Sequence, residues 1–360
     1  MAPNGKIVFG IVGSGWRAEM YLQIAALLPD RFEVCGVVTR RETKRLELEN
    51  RWGIRGFESA DDLLAKTAPN FVLTAVAKDA GPGVIKELAA KGVPVLAETP
   101  PANDLQTLRA LYEAVGPGAK LQIAEQFALQ PMHRARLAVA QSGKLGEIHY
   151  AHISVNHSYH GISLIRKALG IGFENARINA FAFDPPVIEG PGRNGPPAEE
   201  RIVATQHTLA TLDFGAKVGL YDFEKNQHRS WARSQRILIR GVRGELHQDS
   251  VKYLLDYRTP MEFALQRLDA GLDGNLEGYH LKGILGEGEW LYTNPFAPAR
   301  LSDEEIALAT CLARMKQFID SGDSFYSLAE AAQDQYLALL IEESAAQKRP
   351  IVTSTQIWAG

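Results

Sequence analysis

Cysteine is nearly missing from this sequence: Cys35 and Cys311 are the two found in 360 residues. Two cysteines cannot build a disulfide framework, and each sits in an apolar pattern that suits a small buried hydrophobe, so the expected compartment is a reducing one, the cytoplasm. A run of Lys and Arg is missing too. The 39 basic and 42 acidic residues leave a net charge of −3, which argues against a nucleic-acid surface. No apolar stretch reaches membrane-spanning length, and the N-terminal one lacks the basic flank and cleavage site of a leader. Internal repeats and low-complexity tracts are absent. What remains, at 46% hydrophobic and 22% charged, reads as a soluble globular protein long enough for two domains.

The stretch from Lys6 to Leu28 orders the first of them. Lys6 to Val12 is a short apolar run suited to a buried parallel strand, and Met20, Ile24, Leu27 and Leu28 follow at helical spacing. Between them lies Gly13-x-Gly15-x-x-Ala18. Gly13 permits the sharp turn, Gly15 lets backbone approach a pyrophosphate, and Ala18 lets helix and strand pack closely, which leaves the helix opening at Trp16 and Arg17 facing the phosphates. The spacing predicts a dinucleotide site.

Arg31 to Val38 reads as the second strand, with Thr39, Arg40 and Arg41 at its end. An acidic residue there would bind the ribose 2′-OH of NAD, whereas arginine accommodates the 2′-phosphate, so NADP is the expected cofactor with NAD as the alternative. The alternative is that Arg40 and Arg41 merely begin a solvated helix with Lys44 and Arg45. A capping box at Ser59-x-x-Asp62, strands near 70–76, 93–97 and 121–127, and a helix near 82–91 complete an alternating α/β pattern. Pro131 opens a further helix. We set the domain boundary at Phe127, giving a dinucleotide-binding Rossmann domain over 1–127 and an α+β domain for substrate and oligomerisation over 128–360. Gln126, beside Glu125 at a strand end, either lines the substrate site or makes a polar hinge contact.

Three stretches resemble the glucose–fructose oxidoreductase, inositol dehydrogenase and MocA family (Gfo/Idh/MocA): Gly13-x-Gly15-x-x-Ala18, Gly92-Val-Pro-Val-Leu-Ala-Glu98-Thr99-Pro100, and His160-x-x-Ser163 with Gly170 beyond it. The resemblance implies a Rossmann domain followed by a large open antiparallel sheet, with Glu98 and Pro100 beside the cofactor. Typical members carry Glu-Lys-Pro where this chain has Glu98-Thr99-Pro100, and their lysine helps move the substrate proton. A threonine hydroxyl does not ionise near neutral pH, so Thr99 can hold a substrate but cannot act alone as acid or base. Lys78 is either a substitute ammonium or an exposed loop lysine. The family's Asp-x-x-x-His is here Asn156-His157-Ser158-Tyr159-His160, which implies His160 as the acid–base group, with Tyr159 positioning the hydroxyl and Asn156, His157 and Arg166 at the substrate. His157 and His160 could also be metal ligands, but no Cys, Asp or Glu cluster accompanies them and no metal is expected.

The second domain begins with period-two alternation from Glu147, and strands are expected over 205–214, 216–223, 235–241 and 244–249. Residues 185–197, with five prolines and three glycines, are expected to form a loop. Residues 226–230 could reach a substrate or a neighbouring subunit. Capping boxes at Ser302-x-x-Glu305 and Ser327-x-x-Glu330 open two helices expected to cover one face of the sheet. The other face would join a homodimer or homotetramer. These features imply an NAD(P)-dependent oxidoreductase acting on a sugar, cyclitol or related polyhydroxy compound. The alternatives are a redox-neutral, glycoside-cleaving use of the cofactor and a non-catalytic dinucleotide-sensing regulator.

Overall fold

The computed structural model describes residues 5–116, 118–192, 195–271, 274 and 276–360. The chain begins β1 (Ile7–Val12), α1 (Trp16–Leu27), β2 (Phe32–Val38), α2 (Glu42–Trp52), β3 (Gly56–Phe57), α3 (Ala60–Lys66), β4 (Phe71–Thr74), α4 (Gly81–Ala90), β5 (Val95–Ala97), α5 (Leu105–Val115) and β6 (Leu121–Ile123). These six strands form one parallel sheet in the order β3-β2-β1-β4-β5-β6. Strand order reverses between β1 and β4, so a ligand crevice is expected at the carboxyl end of β1. The sheet is apolar on both faces because helices cover both. Phe9, Ile11, Phe71 and Leu73 are wholly buried, and Phe9 stacks on Phe71 with ring centroids 5.6 Å apart. Each such side chain contributes roughly 1.5–3 kcal/mol of burial.

The chain continues with α6 (Pro131–Gln141), β7 (Ile148–Ser154), α7 (Ser158–Leu169), β8 (Arg177–Phe183), β9 (Pro186–Ile188), β10 (Ile202–Ala204), β11 (His207–Asp213), β12 (Val218–Glu224), β13 (Arg236–Gly241), β14 (Gly244–His247), β15 (Ser250–Asp256) and β16 (Thr259–Ala264). Then come β17 (Gln266–Ala270), β18 (His280–Gly286), β19 (Glu289–Thr293), α8 (Asp303–Ser321), α9 (Leu328–Gln347) and β20 (Ile351–Val352). Two compact units result: Met1–Pro131 with Leu268–Gly283 and Thr293–Ala332, and Met132–Arg267 with Ile284–Tyr292 and Gln333–Gly360. Among the described residues no helix is long and apolar enough to cross a membrane.

The second unit is built on a nine-stranded sheet ordered β16-β15-β14-β13-β7-β12-β11-β8-β20. It is not wholly antiparallel. The chain passes through α7, β8 and β11 before β12 pairs with β7, and those two run parallel. One face, with Ile153, Tyr221, Phe223, Ile237 and Leu246, is buried. Helix α7 packs on β7 and β12 there, and the Ala180 N–H of β8 donates to Ser344 Oγ of α9. The opposite face presents His152, His207, Arg236, Arg240 and the exposed pair Phe181 and Phe183.

Three expectations need correction. Of residues 185–197, read as a loop, 193–194 lie outside the described residues and 186–188 pair with 202–204 as a two-stranded ribbon. Pro186 is tolerated there because a short ribbon leaves N–H positions unpaired. Strands β8, β15 and β16 were not foreseen. Finally, α8 does not cover the nine-stranded sheet: it lies in the first unit and packs on α1 and β1. Its fully buried Ile306, Leu308, Cys311, Leu312 and Met315 span more of the helix surface than one narrow stripe.

Candidate functional site

In the first unit, β1 ends at Val12 and the chain turns at once into α1. Gly13 has φ +118°, and a Cβ there would lie 2.1 Å from the Ala75 carbonyl oxygen, so this turn admits glycine alone. Gly15 is different. Its φ of −84° suits any residue, and a Cβ would meet nothing within 4 Å. The protein itself does not require glycine at position 15, and the space a Cβ would take there is open among the described residues. Gly15 is also the N-cap of α1 and gives it no side-chain cap, and the start of such a helix favours an anion. Ala18 is wholly buried, as close helix packing demands. An open glycine before a helix with no side-chain cap fits a dinucleotide pyrophosphate.

The end of β2 lies beside this turn. Ser14 Oγ donates to Thr39 Oγ1 at 3.0 Å, and Arg45 donates to the carbonyl oxygens of Thr39 and Arg40 at 2.9 and 3.1 Å. Arg40 and Arg41 keep exposed side chains, while Lys44 pairs with Glu47 at 2.7 Å. Of the four cations from 40 to 45, one fixes backbone, one pairs locally and two project outward.

Arg17 and Glu98, both expected at the cofactor, hold each other. Glu98 Oε2 lies 3.3 Å from Arg17 Nε, and Glu98 Oε1 accepts from the Tyr21 hydroxyl at 2.6 Å. Arg17 Nη1 also donates to Glu304 of α8 at 2.8 Å, and its guanidinium lies 4.5 Å from the centre of the exposed Trp16 ring. Burial pushes the Glu98 carboxyl up, against the pull of Arg17 and Tyr21. Burial and the Glu98 charge raise the Tyr21 phenol. For Arg17 burial works downward, but Glu98, Tyr21 and Glu304 outweigh it. Thr99 is half-buried and Pro100 buried after β5, and the peptide joining them is cis. Lys78 is exposed in the loop after β4. Gln126 is buried, and its Oε1 has no hydrogen-bond partner among the described residues.

In the second unit, α7 begins among aromatic rings. Asn156 Oδ1 accepts the backbone N–H of His157 at 2.7 Å and lies 2.7 Å from His157 Nδ1. The His157 ring centre is 5.2 Å from that of His160 and 5.8 Å from that of Tyr159, while Tyr159 and His160 are 4.3 Å apart. His160 and Tyr159 are buried, but His157 is exposed. Tyr221 anchors the helix start: its hydroxyl accepts the Ser158 N–H at 2.8 Å, and a Cβ on Gly161 would lie 2.6 Å from its ring. Arg166 has structural duties. It is buried, pairs with Asp334 at 2.6 Å and donates to the Gly172 carbonyl, which commits its guanidinium within the fold. His228, from the segment 226–230, brings its ring within 6.1 Å of His157 and 6.0 Å of Phe223. The sequence marks 226–230 as a polar connection, but the meeting of His228 with His157 is made by tertiary packing of β12 and α7. Among the described residues no group of three His, Cys, Asp or Glu is arranged to hold a metal ion.

Residues 7–117 match the family model GFO_IDH_MocA, an oxidoreductase family with an NAD-binding Rossmann fold. No curated protein matches the sequence. Solved structures are similar over nearly the whole chain. An oxidoreductase from Agrobacterium radiobacter, in complex with NAD+, L-tartaric acid and magnesium, is 17% identical with a TM-score of 0.66 over 96% of this chain and 98% of its own. The WlbA dehydrogenase from Bordetella pertussis, with NADH and UDP-GlcNAcA, is 16% identical with a TM-score of 0.65 over 98% and 99%. A myo-inositol dehydrogenase from Corynebacterium glutamicum is 17% identical with a TM-score of 0.67 over 98% and 100%. At these identities the likeness is one of fold.

Proposed function

We propose, for a chain whose residues 7–117 carry the dinucleotide-binding domain of the Gfo/Idh/MocA oxidoreductases, that it is an NAD(P)-linked oxidoreductase acting on a carbinol of a sugar, cyclitol or related polyhydroxy compound. The observation that carries this reading is the pair Gly13 and Gly15: the fold itself demands the first, whereas the second leaves open space at the start of α1. When bound, the nicotinamide supplies the hydride acceptor or donor. Backbone N–H groups of Trp16 and Arg17 would hold the pyrophosphate, with Arg17 itself tied to Glu98. Arg40 and Arg41, exposed beyond Thr39, would pair with a 2′-phosphate and favour NADP.

His160 would take the hydroxyl proton on an imidazole nitrogen, since threonine at position 99 cannot. Thr99, Tyr159, Gln126 and Asn156 would hold the substrate by hydrogen bonds. Lys78, exposed in its loop, is the weaker candidate for proton transfer, and Arg166 is left out because Asp334 and Gly172 engage it.

His160→Ala tests the assignment. It should lower kcat by roughly 10²–10⁴-fold with NADP affinity nearly unchanged, the contribution of a positioned acid–base group. Turnover that survives His160→Ala and is lost in Lys78→Ala would overturn it. Substrate consumption without net change in nicotinamide absorbance would favour redox-neutral glycoside cleavage. Dinucleotide binding without turnover across a sugar and polyol panel would favour the regulator.

A further inference from the structure

We propose that Trp16 forms an aromatic wall against the nicotinamide half of the bound dinucleotide, and that Glu98 and Glu304 position it through Arg17, an inference that rests on the dinucleotide reading above. Trp16 is the first residue of α1 and directly follows Gly15, where a Cβ would meet nothing within 4 Å. Side chains on a helix lean toward its N-terminus, so a ring in that first turn leans toward the space assigned to the pyrophosphate. The indole is 42% exposed, which leaves part of its surface open to a ligand.

Two contacts decide which half of the dinucleotide the ring would meet. On one side of the glycine turn Ser14 donates to Thr39, at the end of β2, and the end of that strand takes the adenosine ribose in a Rossmann sheet. On the other side Arg17 meets Glu98, the residue after β5, and β4 and β5 extend the sheet from β1 away from β2. The Arg17 guanidinium lies 4.5 Å from the centre of the indole, so the ring belongs to this second side. A dinucleotide that crosses the sheet at β1 with its adenosine over β2 carries its nicotinamide toward β4 and β5.

An exposed side chain gives up rotamer freedom when a ligand packs on it, and that cost offsets the contact. Here the group beneath the indole is already fixed. Arg17 Nε lies 3.3 Å from Glu98 Oε2, and Nη1 donates to Glu304 Oε1 at 2.8 Å and to Met20 Sδ at 3.4 Å. Glu98 is held in turn by the Tyr21 hydroxyl at 2.6 Å. A cation over the face of an indole attracts it. Glu304, in the first turn of α8, therefore anchors from a distant part of the sequence the cation on which the ring rests.

The test uses the whole chain grown with fluorotryptophan and follows binding by calorimetry and fluorine NMR, without recourse to turnover. Of the five tryptophan resonances, the one missing from Trp16→Phe belongs to Trp16. It should shift on saturation with NADP+ or NAD+, whichever binds more tightly, and shift less with the matching adenosine diphosphate fragment, which lacks the nicotinamide riboside. Trp16→Ala should weaken binding of the whole dinucleotide about three- to tenfold, the worth of an aromatic contact, and leave binding of the fragment nearly unchanged. Glu304→Gln should weaken dinucleotide binding by a smaller factor, with no further loss when added to Trp16→Ala, because its anchor acts through the indole. Trp16→Phe carries the same comparison if the alanine variant melts early. A Trp16 resonance that stays in place at saturating dinucleotide, or moves equally with the fragment, overturns the wall and leaves the dinucleotide reading standing. Additive losses in the double variant overturn the anchoring role of Glu304. If neither dinucleotide binds the wild type, the dinucleotide reading falls and the wall with it.

Discussion

Gly15→Ala separates what the fold needs from what the ligand needs. At φ −84° and ψ −178°, alanine is sterically comfortable, and its Cβ would meet no protein atom within 4 Å. Gly→Ala at a compatible site stabilises by about 0.4–1 kcal/mol through the unfolded chain. The N-cap preference for glycine over alanine offsets a similar amount. The melting temperature should therefore hardly move. The dinucleotide is another matter. A methyl before the first turn of α1 would push the pyrophosphate off the helix N–H groups. Losing two charge-assisted hydrogen bonds at roughly 1.5–3 kcal/mol each amounts to about 3–6 kcal/mol, or about two to four decades in affinity. Gly13→Ala is the control, because its Cβ would lie 2.1 Å from the Ala75 carbonyl oxygen at a left-handed φ, so it should melt early. Calorimetric titration with NADPH and NADH, paired with thermal melts, reads both effects. Near-wild-type affinity in Gly15→Ala would refute the placement of the pyrophosphate.

Arg40→Ala should reduce the preference for NADP(H) over NAD(H) by about one to two decades, the worth of a charge-assisted contact, and equal wild-type affinities would remove the proposed preference. Asp222 gives a pH prediction: burial works to raise its carboxyl, but hydrogen bonds from His152 and His207 and the charge of Arg236 hold it below the usual range. A depressed carboxyl stabilises the fold above its unfolded pKa, and that contribution is lost as pH falls through the folded value. Asp222→Asn should therefore lower thermal stability near neutrality and converge with wild type in acid. Light scattering at micromolar concentration should show a dimer or tetramer, since Phe181 and Phe183 remain exposed on the open sheet face, and a monomer would sink that proposal.

The features legible in the sequence were those made by neighbours along the chain. Gly13 and Gly15 announced their turn because strand, turn and helix follow without interruption. Ser59, Ser302 and Ser327 each accept the predicted backbone N–H three residues on. Cross-strand and helix-docking choices were not legible. Arg17 and Glu98 each look like a ligand group when read locally, and only the fold, which brings the residue after β5 to Arg17 and Tyr21 of α1, joins them. The ring of His228 reaches His157 by the same kind of distant placement. Strand β8, Arg177-Ile-Asn-Ala-Phe-Ala-Phe183, alternates buried and exposed residues at its start, but its apolar outward residues blur the alternation.

The contact of Arg17 with Glu304 bears on the order in which this protein matures. Helix α8 emerges from the ribosome long after the glycine turn it braces, and until then α1 lacks the apolar surface of α8 that packs against it. A nascent chain that ends before α8 holds the glycine turn with its brace missing. The ion pair between Arg17 and Glu304 is thus acquired near the close of synthesis, although the glycine turn beside it is among the first parts to be made.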